Sequence, residues 1–134
     1  MWKKWHGDGT INRAFAVATD GFDNVIVTGL KKLASTTRYF YTIKYDSNGN
    51  VVWTREYDSS SSEDSAYGVA VDSRNNVIVT GRANNNYYTI KYSQSGDVIW
   101  RREYDSGAVD EAYGVTVDSY DNIIVTGRAN DNYY

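Results

Sequence analysis

This chain repeats itself, and the repeat length limits what it can become. Residues 66–88 return as residues 112–134, with 18 of 23 positions identical at an offset of 46. Residues 41–57 return as 88–104, with 11 of 17 identical at an offset of 47. A more diverged copy opens the chain, as Ala14-Phe15-Ala16-Val17-Ala18-Thr19-Asp20 and then Asn24-Val25-Ile26-Val27-Thr28-Gly29. A period of this length, filled with short strand patterns, is the signature of a propeller blade. A residue that recurs in every copy is therefore read first as part of the blade's architecture.

The best-preserved unit predicts four strands. Residues 66–71 alternate small residues (Ala66, Gly68, Ala70) with Tyr67, Val69 and Val71. A strand without a polar face is buried on both sides, which places it nearest the axis. Asp72-Ser73-Arg74-Asn75-Asn76 is a turn, because Asp and Asn bond their own backbone and tolerate left-handed conformations. A second strand covers 77–80 and ends at Gly81, and Arg82 to Asn86 read as a polar loop. A third strand covers 87–92, and Ser93-Gln94-Ser95-Gly96 makes a hairpin turn. The fourth, 97–104, is the most charged, as an outer edge should be. The same pattern predicts a blade over 14–65 with a longer second-to-third loop (Leu30 to Tyr39), a blade over 66–111 and an incomplete one over 112–134. Residues 1–13 read as the tail of a fourth strand and an inter-blade loop. The expected fold is all-β: a β-propeller fragment of about three four-stranded blades in one domain, 1–134.

Propellers usually have roughly four to eight blades. Each blade buries its faces only against neighbours, so a short array leaves two faces open. At about 25 cal/mol per Å² of apolar surface, wetting several hundred Å² at each end forfeits on the order of 10 kcal/mol. Two copies supply about six blades. The expectation is a ring closed only by homo-oligomerisation, with a homodimer favoured. Trp2, Trp5, His6, Tyr133 and Tyr134 are the candidate seam between copies. Trp2 falls at the repeat position of Trp53 and Trp100, whereas Trp5 and His6 do not recur.

The pattern Gly68-Val69-Ala70-Val71-Asp72, Asn76-Val77-Ile78-Val79-Thr80-Gly81, Tyr88-Thr89-Ile90-Lys91-Tyr92, Gly96-Asp97-Val98-Ile99-Trp100 resembles the SBBP-type β-propeller repeat of prokaryotic, including archaeal, cell-surface and secreted proteins. The resemblance covers nearly the whole chain. The family's turn often carries Gly before the Asn, where this chain has Asp23, Asn75 and Asp121, residues that also tolerate positive φ. The first copy departs further, with Ala16 at the Gly68 position and Leu30 at the Arg82 position. The resemblance implies a fold and an extracellular or cell-surface location. It implies no reaction, since propellers host many functions.

Composition narrows the function classes. There is no cysteine and one histidine, so disulfides and thiolate zinc sites are out, and no nucleophile setting is recognisable. The expectation is a noncatalytic chain without metal or cofactor, a hydrolase or lyase with a channel site being the least favoured alternative. Calcium loops at Asp118–Asp121 or Asp46-Asn48-Asn50 lack the spaced acid and Gly of such a loop, so these residues read as turn caps. A net charge of −3 with interspersed signs argues against nucleic acid as a partner. No apolar run is long enough for membrane insertion, and the first residues do not read as a signal peptide, so neither is expected of this stretch.

Two binding hypotheses remain. One is a scaffold or interaction module whose partner is itself or a cell-surface protein. The other is a lectin-like propeller that binds glycans through rim residues Arg82, Asn84, Asn86, Tyr87, Arg128, Asn130, Asn132 and Tyr133, joined by Lys31-Lys32 and the strip Ser59 to Asp64. Planar polar groups suit hydroxyls and a ring suits a sugar face. Soluble polar loops would have the same composition.

Overall fold

In the computed structural model, residue 3 and residues 11–32, 37–60, 63–130 and 132–133 are described, Ile11 and Tyr133 by backbone alone. Eleven strands are present among them, in three antiparallel sheets taken in chain order. Sheet 1 is β1 (Ile11–Thr19), β2 (Val25–Lys32), β3 (Arg38–Tyr45) and β4 (Val51–Tyr57). Sheet 2 is β5 (Ser65–Val71), β6 (Val77–Ala83), β7 (Asn86–Tyr92) and β8 (Val98–Tyr104). Sheet 3 is β9 (Asp110–Val117), β10 (Ile123–Ala129) and the short β11 (Asn132–Tyr133). The sheets stack side by side without closing, as an all-β, propeller-like repeat fragment. The first strands form the inner edge, where β5 lies against both β1 and β9.

The first turn of each sheet is fixed by one aspartate. Asp72 Oδ1 accepts the backbone N–H of Arg74 and Asn76, and its Oδ2 accepts Asn76 Nδ2 at 2.9 Å. Asp20 and Asp118 repeat this with Asn24 and Asn122. Inside each turn one residue adopts positive φ: Asp23 (61°), Asn75 (61°) and Asp121 (62°). These are the three positions anticipated above, and Asp and Asn tolerate that conformation because their short polar side chains bond locally. Asp46 caps the β3–β4 turn in the same manner, its carboxylate accepting from Asn48 and Asn50.

Each pair of neighbouring sheets packs around its own apolar cluster. Ile26, Phe40 and Trp53 of sheet 1 pack on Val77, Val79, Ile90 and Tyr92 of sheet 2. Trp53 also donates its indole N–H to Gln94 O at 2.9 Å, across to the next sheet's turn. Trp53 thus packs between blades, whereas Trp100, at the same place on β8, is only half-buried. Sheets 2 and 3 meet through Tyr87, Ala112 and Ala129, with Val125 against them.

The connection between the second and third strands is shorter than its polar composition suggests. Arg82 to Asn86 do not form a loop. Arg82 and Ala83 complete β6, Asn86 opens β7, and only Asn84 and Asn85 turn between them. Both have positive φ, 53° and 64°, as a two-residue hairpin of the primed type requires. The strands run on because their backbone groups find partners in the ladder, with Arg82 opposite Tyr87 and Ala83 opposite Asn86. In sheet 1, likewise, Leu30 to Lys32 belong to β2 and Arg38 and Tyr39 to β3.

Candidate functional site

The rim residues divide by environment. Asn84 and Asn130 stand exposed at the hairpin tips with positive φ. Asn132 is exposed, and its side chain donates to Asn130 O at 3.1 Å. Asn86 is buried and donates to Glu103 Oε1. Tyr87 is buried between sheets 2 and 3, with Tyr104 at 5.8 Å. Arg82 lies between Glu111 (2.8 Å) and Glu63, which also contacts it. Burial works against the guanidinium's charge, but the two carboxylates outweigh it and hold its pKa above the ordinary value. Arg128 reaches Glu111 Oε2 at 3.6 Å. Lys31 pairs with Glu56 at 2.9 Å. Arg82, Arg128 and Lys31 are thus engaged with carboxylates, and the hairpin tips present amides to solvent.

Two rim carboxylates have a role that sequence reasoning missed. Asp64 is fully buried and accepts Ser59 N and Oγ, both at 2.6 Å, and Asn84 N at 3.3 Å. Asp110 does the same with Ser106 and Asn130. Each ties an inter-sheet loop to the following hairpin tip. The signal was present, since Asp64 and Asp110 recur at the main offset, with Ser59 and Ser106 a few residues before them. Among the described residues no group of three or more His, Asp or Glu side chains is placed to hold a metal.

The ends of the stack differ from its interior. Ile26, Ile78 and Ile124 are equivalent positions on β2, β6 and β10. The first two are 0% exposed and the third 50%. Thr28 and Thr80 are buried, whereas Thr126 is exposed. This face of sheets 1 and 2 is covered by the next sheet, and on sheet 3 it is open. At the other end, sheet 1 offers Val27, Tyr41, Ile43 and Tyr45, the counterparts of Val79, Tyr88, Ile90 and Tyr92. Tyr41, Ile43 and Tyr45 are buried, but a groove of about 270 Å³ remains beside them, edged by Asn12, Arg13 and Ala14. Of the candidate seam residues, Trp2, Trp5, His6 and Tyr134 lie outside the described residues, and Tyr133 pairs through its backbone with Arg128.

Comparison with known proteins agrees with this architecture. Residues 52–88 match the SBBP family, described as a beta-propeller repeat. The match runs from β4 through β5 and β6 into β7. A solved structure, that of a protein of unknown function from Bacteroides caccae, superimposes on 99% of the chain with a TM-score of 0.63 at 10% identity. The chain spans 47% of that protein's length. No curated protein matches the chain in sequence.

Proposed function

We propose that this chain, built of SBBP-type repeats, is a noncatalytic scaffold or interaction module that self-assembles, the open face of sheet 3 taking sheet 1 of a second copy. The observation that carries this reading is the contrast between Ile78, fully buried, and Ile124, half exposed at the same place one sheet later. The internal interface supplies the template. There, the Ile26 and Phe40 face of sheet 1 receives Val79, Ile90 and Tyr92 of sheet 2. Sheet 3 offers the first kind of face to solvent, and the groove on sheet 1 is lined by Val27, Ile43 and Tyr45, of the second kind. Covering an apolar face of this sort is worth about 25 cal/mol per Å², and two copies together form six sheets.

Sedimentation across a concentration series tests the reading. A dimer is expected for the native chain. Ile124→Lys, which places a charge at the centre of the open face, is expected to yield a folded monomer. A native chain that stays monomeric at high concentration would overturn the proposal.

A further inference from the structure

The first strand of each sheet carries one residue more than its partner. In sheet 1 the register slips between Ala14 and Ala16, and in sheet 2 between Ala66 and Gly68. In sheet 3, Ala112 pairs with Gly127 and Gly114 with Thr126. The residues passed over are Phe15, Tyr67 and Tyr113. A bulge bends its strand and re-aims the extra side chain.

Here the three aromatic rings form a row. The centroids of Phe15 and Tyr67 are 5.5 Å apart, and those of Tyr67 and Tyr113 are 5.8 Å apart. Phe15 is 45% and Tyr113 48% exposed. Tyr67, with a sheet on either side, is still partly exposed. The row therefore does not arise from the open end of the stack. Nor can the inner strands close over it, because they already touch: a Cβ on Gly68 would lie 3.2 Å from Val115 N and 3.3 Å from Tyr113 O. At one end the row meets polar groups. Tyr113 Oη donates to Glu111 Oε2 at 2.5 Å, and Arg82 Nη1 donates to Glu111 Oε1 at 2.8 Å.

We infer that Phe15, Tyr67 and Tyr113 form a platform for a neutral linear oligosaccharide, the rings, tilted by 46° and 59° to one another, meeting the C–H groups of successive pyranose units with faces and edges. Glu111 and Arg82 meet the hydroxyls at the Tyr113 end. An aromatic row also suits single-stranded nucleic acid, but that ligand needs a positively charged groove along its backbone. Here the arginine is paired with Glu111 and Glu63, and the chain's net charge is −3. Paired charges leave hydrogen-bonding capacity without net charge, which suits hydroxyls. The platform does not depend on the rim asparagines or on self-assembly.

The test is a titration of the full chain with cellotetraose and with chitotetraose, followed by NMR of the tyrosine ring resonances. Millimolar or tighter binding is expected to shift the Tyr67 and Tyr113 signals. Tyr67→Ala should weaken it about tenfold or more, Tyr67→Phe should retain it, and Asn84→Ala at the rim should leave it unchanged. Circular dichroism checks that each variant is folded. No shift with either sugar at millimolar concentration overturns the inference. So does binding that survives in folded Tyr67→Ala, or an oligothymidylate that shifts these rings while the sugars do not.

Discussion

Lys91 Nζ lies 2.8 Å from Asp72 Oδ2, so a cation on the third strand is clamped to the turn between the first two. Lys44 and Asp20 make the same contact in sheet 1 at 2.7 Å, with both side chains buried. Removing the cation leaves a buried carboxylate with only its amide donors. Lys91→Met is therefore expected to destabilise the fold by about 3 kcal/mol, measured by urea unfolding.

These two pairs also set an acid limit. Burial alone would raise the carboxyl pKa of Asp20 and Asp72. The lysines, the asparagine amides and the backbone N–H groups outweigh burial and hold both below the ordinary 3.8. A carboxyl whose folded value is depressed stabilises the fold fully above its unfolded value. That stabilisation is lost as pH falls through the folded value. Stability should therefore be flat on this account above about pH 5 and decline below 3.8. Asp72→Asn should flatten the decline in chemical denaturation measured against pH.

Gly81 occupies a place where no side chain fits. A Cβ there would lie 2.0 Å from the Ser65 carbonyl oxygen, and at Gly29 and Gly127 the matching distances are 1.8 and 2.0 Å. Each glycine sits opposite the bulged first strand, whose backbone presses onto it. Gly81→Ala should destabilise by about 3 kcal/mol or more, at the upper end of single substitutions. Thermal unfolding beside Gly107→Ala checks it, since a Cβ at Gly107 meets nothing within 4 Å, although its φ of 84° still carries some strain.

The hairpin tip gives a milder contrast. Asn85 holds φ at 64°, a conformation that disfavours most residues with a Cβ by about 1–2 kcal/mol. Asn85→Gly should keep or raise the melting temperature, and Asn85→Val should lower it.

The proposed seam between copies would carry an electrostatic signature. Arg82 bridges forward to Glu111 on the first strand of the next sheet. The residues equivalent to Glu111 are Ser65 in sheet 2 and Arg13 in sheet 1, since Arg13, Ser65 and Glu111 stand opposite Leu30, Arg82 and Arg128. In the proposed assembly Arg128 therefore faces Arg13 of the second copy, a like-charge approach. Arg13→Glu should tighten self-association about tenfold. Added salt should strengthen association of the native chain and weaken that of the variant. Sedimentation at low and high salt measures both effects.

The sequence alone determined the repeat, the four-strand blade, the Asp–Asn turns with their positive-φ residues and the interior place of Trp53. All of these follow from local chemistry: strand alternation, the short reach of Asp and Asn side chains, and the recurrence of large aromatics. It could not determine where a strand stops, because Arg82 and Asn86 are polar and only ladder pairing makes them strand. It could not separate the rim asparagines that face solvent from Asn86, Tyr87 and Asp64, which do not, because burial at the rim depends on what the next sheet brings. The bulges at Phe15, Tyr67 and Tyr113 lie inside strands that read as regular alternation. Only the register between strands, and the closeness of one sheet's backbone to the next, turns those rings into an exposed row.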